Sequence, residues 1–83
     1  MAYKLFYKAT VSKDLKKLDK DEIKRILSGI EERIVPNPYL GKSLKGDFRG
    51  CYQYRFGDFR VIYAISRQDI LVLHIGHRKE IYR

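Results

Sequence analysis

The feature that most constrains the fold is the stretch CYQYRFGDFRVIYAI, residues 51–65, in which apolar and polar side chains alternate. Alternation with a period of two is typical of β-strands. Gly57-Asp58 divides the stretch and matches the two-residue loop of a type II′ hairpin, which prefers glycine first. Counting back from this turn predicts that Arg55 faces Arg60. Because successive side chains point to opposite faces, one face is aromatic and the other carries both arginines.

Two helices are predicted in the first half of the chain. Asp19 is followed three residues later by Glu22, the spacing of a capping box at a helix start. Apolar residues then recur at helical spacing as far as Ile34, and Pro36 ends the pattern. A shorter helix precedes this one, with Ser12 as its predicted N-cap.

The order of elements predicts an α+β domain. Residues 3–8 and 70–75 have the composition of strands, and residues 39–50, with three glycines, are predicted to form a loop. The predicted order is β-α-α-β-β-β, a mainly antiparallel sheet with two helices packed on one face. At 83 residues the chain has room for one domain, residues 1–83.

Composition and charge narrow the class of protein. The formal net charge is +8, with 45% hydrophobic and 34% charged residues, which predicts a folded domain with an affinity for polyanions. The absence of a long apolar run predicts a soluble, cytoplasmic protein that does not bind a membrane. With one cysteine and no cluster of His, Cys and carboxylates at ligand spacing, we expect neither a metal nor a cofactor.

The predicted pairing of Arg55 with Arg60 places like charges opposite each other, which is destabilising when nothing compensates. The two side chains either extend into water or pair with an acid such as Asp58, or they form an anion site that holds a phosphate group. The closing segment, IGHRKEIYR, follows an apolar strand. Its Arg78 and Tyr82 are therefore predicted to leave a strand end and to converge with the two arginines.

Two segments resemble the RelE/ParE toxin superfamily: LKGDFRGCYQYRFGDFRVIYAI, and ILVLHIGHRKEIY with its G-H-R-x-x-[IV]-Y ending. Within it, the chain is most similar to RelE-type toxins, which are ribosome-dependent mRNA endoribonucleases. The resemblance covers essentially the whole chain and implies the RelE-like microbial RNase fold. It also implies catalysis without a metal, by attack of an RNA 2′-OH on the adjacent phosphate in the ribosomal A site.

The resemblance implies the residues that act in cleavage. The catalytic positions of the family match Arg55, Arg60, Arg78 and Tyr82. One departure is Gln53, which stands where some members carry a lysine. The positive charge of that lysine is either missing here or supplied by Lys45, Arg49 or Lys79. The expected RNA-binding residues are Lys45, Arg49, Gln53, His77 and Lys79.

Three aromatic side chains have two interpretations each. His77 alternates away from Arg78, which favours a turn-capping role over catalysis. His74 lies inside an apolar strand, which favours a hydrogen-bonded sheet position. Phe48 is either an exposed contact for RNA or an anchor of its loop in the core.

The partners that the resemblance implies are a RelB-like antitoxin, the ribosome with its rRNA and mRNA, and operator DNA bound by a toxin–antitoxin hetero-oligomer. The alternative is a ParE-like toxin that inhibits DNA gyrase without catalysis. Members of that kind typically lack the Arg and Tyr cluster. A third alternative is a basic nucleic-acid-binding module.

Overall fold

Five strands and two helices make up residues 3–77, the part of the chain that the computed structural model describes. The strands are β1 (Lys4–Tyr7), β2 (Lys42–Ser43), β3 (Cys51–Phe56), β4 (Phe59–Ser66) and β5 (Asp69–His77). The helices are α1 (Val11–Leu15) and α2 (Lys20–Gly29), and α2 continues as a π-helical turn over Ile30–Ile34. Within the described residues, no helix is long and apolar enough to cross a membrane.

The strands form one sheet in the order β1-β5-β4-β3-β2. β1 runs parallel to β5, and every other pair is antiparallel. The predicted hairpin register is confirmed, with Phe56 opposite Phe59 and Arg55 opposite Arg60. Gly57 has a φ of 59°, as the first central residue of a type II′ turn requires. The predicted fold class, a mainly antiparallel sheet with two helices on it, is therefore confirmed.

Local capping was predicted correctly for α2 but not for α1. The Asp19 side chain accepts a hydrogen bond from the backbone N–H of Glu22 at 2.8 Å, and the Glu22 carboxylate accepts one from Asp19 N–H at 3.1 Å. Thr10 is the N-cap of α1, so the prediction for Ser12 was wrong. Ser12 lies within the first turn, where its hydroxyl donates to the carbonyl of Ala9 at 2.9 Å.

The segment 39–50, predicted as a loop, contains the two-residue strand β2. Lys42 pairs with Gln53 and Ser43 with Tyr52, which adds a fifth strand at the edge of the sheet. Short 3₁₀ turns precede and follow it, at Pro38–Leu40 and Gly46–Phe48. The strand was missed because two residues are too few to show a period of two.

The core lies between α2 and the sheet. Its fully buried side chains come from both helices, the π-helical turn and the central strands, and include Ile26, Ile30, Val61, Tyr63 and Val72. Tyr52 and Tyr54 pack against this cluster, as predicted for aromatics under the helices.

Tyr63 also attaches the segment before β2 to the core. Its hydroxyl donates to the carbonyl oxygen of Pro38 at 2.6 Å and is hydrogen-bonded by the backbone of Gly41. A Cβ at Gly41 would collide with that hydroxyl, so a glycine is needed there. Burial raises the pKa of Tyr63 to about 12, although the Gly41 contact opposes the rise.

Candidate functional site on the open face of the sheet

Arg55 and Arg60 lie on the face of the sheet opposite to α2, which we call the open face. They are directly opposite each other in the β3–β4 pair, where facing Cβ atoms are about 5 Å apart. Arg55 is exposed and Arg60 is half-buried. Among residues 3–77, no carboxylate lies within ion-pair distance of Arg55, so Arg55 does not form the pairing with Asp58 considered from the sequence. Two guanidinium groups in this geometry can hold one phosphate group.

Lys42 is a further cation on the open face. It lies opposite Gln53 in the β2–β3 pair and is exposed, whereas Gln53 is only 8% exposed. Gln53 and Arg55 are two residues apart on β3 and therefore point to the same face. The register thus pairs Lys42 with Gln53 on the open face, where Lys42 adds a positive charge beside a neutral position of β3. Sequence analysis missed Lys42 because β2 was not predicted.

A β-bulge in β5 decides which of its side chains reach the open face. Ile62 faces His74 while its neighbour Tyr63 faces Val72, so Leu73 is an extra residue on β5. Simple alternation along β5 would put His74 on the same face as Val72, in the core. The bulge instead moves His74 to the open face, where its side chain is 47% exposed.

Beyond the bulge, His77 lies on the opposite face from the arginines. It faces Phe59 in the register, and the two rings meet edge to face with centroids 5.7 Å apart. Gly76, which has no side chain, faces Arg60 in the register. The structure therefore does not bring His77 together with Arg55 and Arg60.

Asp14, in α1, occupies the edge of β5 where β1 has ended. β1 pairs with β5 only as far as Val72, and Asp14 Oδ2 accepts the hydrogen bond of the next unpaired edge donor, Ile75 N–H, at 3.1 Å. The same oxygen lies 3.9 Å from Nδ1 of His74. The carboxylate is thus held at the border of the open face.

A cavity of about 230 Å³ opens beside this carboxylate, and we call it the Asp14 pocket. Its lining includes Asp14, Lys17, Phe48, Ile62, His74 and Gly76. Phe48 therefore reaches the open face from its loop while remaining 43% exposed, so it is not an anchor in the core. No sequence motif indicated this pocket, because its residues come from α1, a loop and two strands.

The other predicted RNA-binding residues are exposed or lie outside the described residues. Lys45 and Arg49 flank Phe48 in the loop between β2 and β3, and both are exposed. Arg78, Lys79 and Tyr82 lie outside residues 3–77. Within that same range, no group of three or more His, Cys, Asp or Glu side chains is placed to hold a metal ion.

A larger groove, about 700 Å³, lies on the helix side between α2 and the tip of the β3–β4 hairpin. Its apolar lining includes Ile26, Phe56 and Phe59, and charged residues of both signs, such as Arg25 and Glu32, line it as well. Arg55 also lines this groove, at the edge of the sheet, whereas Arg60 does not. Its apolar and charged lining is typical of a surface that binds another protein rather than RNA.

Comparison with known proteins gives the family. A family model described as the ParE toxin of the type II toxin–antitoxin system parDE matches residues 5–82. Toxin RelE of Mycobacterium tuberculosis is 32% identical over 84 residues, which cover 98% of this chain and 87% of that protein.

Solved structures show the same fold. The toxin–antitoxin complex RelBE2 from Mycobacterium tuberculosis contains a chain with a TM-score of 0.87 and 23% identity, covering 94% of this chain and 100% of that one. A chain of the archaeal RelE–RelB complex from Pyrococcus horikoshii has a TM-score of 0.74 and 27% identity, covering 94% of this chain and 97% of that one.

The fold and these matches define a class, the toxins of type II toxin–antitoxin systems. Within that class the chain belongs to the ParE toxin family, and it is similar to toxins of the RelE type.

Proposed function

We propose that the protein is a ribosome-dependent endoribonuclease that cleaves mRNA in the ribosomal A site and so inhibits translation. The observation that carries this proposal is the pair of arginines, Arg55 and Arg60, facing each other on the open face with Lys42 nearby. Similarity to proteins named Toxin RelE and Toxin RelG supports it. A cationic face of this kind suits an RNA phosphate better than an apolar protein surface.

The proposed reaction is attack of an RNA 2′-OH on the adjacent phosphorus. The 2′-oxygen–phosphorus bond forms, the bond from phosphorus to the 5′-oxygen breaks, and the products are a 2′,3′-cyclic phosphate and a free 5′-OH. The transition state carries extra negative charge on the phosphoryl oxygens. Arg55 and Arg60 would stabilise that charge, since fixed cations aimed at developing charge lower the barrier.

Proton transfer is assigned to the C-terminal segment. Tyr82 would accept the proton of the 2′-OH or orient that hydroxyl, and Arg78 would clamp the phosphate or assist the leaving 5′-oxygen. Neighbouring cations favour the ionised form of a tyrosine, which makes it a better base. Tyr63 is unsuited to this role because it is buried and its pKa is raised to about 12.

The ribosome would supply the geometry of the reaction. Holding the codon with the 2′-oxygen in line with phosphorus removes much of the entropic cost of the step, so few catalytic side chains are needed. Exposed cations, among them Lys45 and Arg49, would bind rRNA through its phosphates. On this proposal the protein acts in the cytoplasm, where translation takes place.

The proposed partner is a RelB-like antitoxin, as in the RelBE2 and RelE–RelB complexes. Its amphipathic segment would fit the groove of about 700 Å³ between α2 and the hairpin, where Phe56 and Phe59 supply apolar contacts. An acidic segment would cover the open face or displace the region around Tyr82. The resulting hetero-oligomer is proposed to bind its operator DNA.

Inhibition of DNA gyrase is the second candidate, because the matching family model carries the parDE description. Two assays on the same protein distinguish the endoribonuclease from the gyrase inhibitor. The purified protein is added to an in vitro translation reaction, with primer extension to map mRNA ends, and to a gyrase supercoiling assay. The proposal predicts codon-phased cleavage and normal supercoiling. Blocked supercoiling with intact mRNA would overturn it in favour of the gyrase inhibitor.

A further inference from the structure

The Asp14 pocket lies next to the proposed phosphate site on the open face. Ile62, which lines the pocket, is two residues from Arg60 on the same strand and face, a separation of about 7 Å. Gly76, which faces Arg60 across the β4–β5 pair, lines the pocket as well. A nucleotide with its phosphate on the arginines would therefore have its own base, or the adjacent one, within reach of this pocket.

The lining of the pocket combines an aromatic ring and a carboxylate with the nitrogen donors of Lys17 and His74, a set that suits the edge and face of a base. The ring of Phe48 is partly exposed, and unpaired RNA bases stack on such rings. Ile62 forms the apolar floor of the pocket and is itself only 2% exposed. Asp14 contributes carboxylate oxygens, which accept hydrogen bonds. A carboxylate repels phosphate but accepts hydrogen bonds from the amino groups of bases.

The Asp14 carboxylate is also fixed in position. Its Oδ2 accepts the hydrogen bond from Ile75 N–H at 3.1 Å, and that backbone is part of the sheet. A carboxylate held by the main chain discriminates between bases better than one on a mobile side chain, because less rotamer entropy is lost on binding. The pocket therefore has the fixed acceptor that base selection needs.

We propose that the Asp14 pocket binds one base of the RNA substrate and selects bases with an amino group on the Watson–Crick edge over uracil. This inference rests on the proposed function for the identity of the ligand as RNA. Cytosine, adenine and guanine each offer an amino N–H to the carboxylate. Uracil offers one N–H between two carbonyl oxygens, which the carboxylate repels. The pocket is thus a determinant of codon preference.

The test compares two ligands of the same ring size, cytidine 5′-monophosphate and uridine 5′-monophosphate, by NMR titration of the ¹⁵N-labelled protein. The amide signals of Phe48, Ile62 and His74 should shift, and the cytidine nucleotide should bind about tenfold more tightly. Asp14→Asn keeps an acceptor for Ile75 N–H and adds donors for the uracil carbonyls. It should bring the two affinities within about threefold of each other.

Two further variants control for structural effects. Phe48→Leu should weaken both nucleotides by about tenfold while the preference for cytidine persists, because stacking does not distinguish the two bases. Asp69→Asn removes an exposed carboxylate in the β4–β5 turn region and should change neither affinity. Melting temperatures of all variants show whether a loss of binding reflects unfolding.

Equal affinity of the wild-type protein for the two nucleotides would overturn the inference. Shifts confined to Arg55 and Arg60, or no shifts at the pocket residues, would do the same. The titration involves neither ribosome nor cleavage, so its outcome is independent of the proposed activity. If the protein prefers the cytidine nucleotide in this assay but leaves mRNA intact, the base pocket is supported and only the proposed function is refuted.

Discussion

Lys42 lies directly opposite Gln53 across the β2–β3 pair, so a positively charged side chain shares the open face with the neutral Gln53. β2 has only two residues, and both lie in a segment whose glycines predict a loop. The cation therefore comes from a neighbouring strand rather than from β3 itself. On this account the open face keeps its positive charge although Gln53 is neutral.

Lys42→Ala should weaken binding to ribosomes programmed with mRNA by roughly fivefold, because one phosphate contact is lost. The slope of the logarithm of affinity against the logarithm of salt concentration should fall by about one. Filter binding over a series of KCl concentrations measures both. Lys24→Ala, on the exposed side of α2, is the matched control and should leave the slope unchanged. An equal effect of the two substitutions would mean that Lys42 contributes only net charge.

Tyr63 should make the stability of the fold depend on pH in the alkaline range. Its pKa is about 12 in the folded protein, against an ordinary value of 10.0, so the folded state holds this proton more tightly. The contribution of Tyr63 to the free energy of unfolding should therefore be constant below about pH 10 and should fall as the pH rises toward 12. Urea denaturation at several pH values measures the change.

Tyr63→Phe removes the titrating group and should flatten the stability profile between pH 10 and 12. It should also lower stability at neutral pH by about 1–2 kcal/mol, because the Pro38 carbonyl loses its hydrogen bond. Tyr39→Phe alters a tyrosine that is 58% exposed and serves as the control. If Tyr63→Phe and wild type lose stability in parallel above pH 10, other groups are responsible.

Tyr82→Phe should lower mRNA cleavage by at least about tenfold while ribosome binding persists, because the hydroxyl is proposed to take or orient a proton. Cleavage is followed by primer extension, and binding by co-sedimentation with ribosomes. Tyr39→Phe removes a hydroxyl elsewhere and should cleave like the wild type. Cleavage at the wild-type rate by Tyr82→Phe would remove this residue from the mechanism.

The sequence predicts best those parts of the fold that depend on local interactions. The capping box at Asp19 and the register of Arg55 with Arg60 follow from spacing and turn chemistry within a few residues, and both are present. The bulge at Leu73 is different, because it depends on how β5 packs against its neighbours. That bulge places His74 on the open face.

The Asp14 pocket also could not be predicted from the sequence, because it depends on how distant segments pack together. Asp14 and Ile75 are 61 residues apart, and their hydrogen bond exists only because β1 ends before β5 does. Phe48 joins them from a loop with no regular period. Contacts of this kind depend on the tertiary arrangement, whereas the hairpin depends on the sequence of one turn.

The most direct test of the account is the cleavage activity of Arg55→Ala and Arg60→Ala, measured by primer extension on mRNA from an in vitro translation reaction. Arg67→Asn, in the turn at the other end of β4, removes the same charge from the same sheet and serves as the control. We expect each of the first two variants to lose at least about tenfold in cleavage rate, with melting temperatures close to that of the wild type, while Arg67→Asn cleaves normally. Cleavage at the wild-type rate by both Arg55→Ala and Arg60→Ala would contradict the assignment of the open face as the catalytic site.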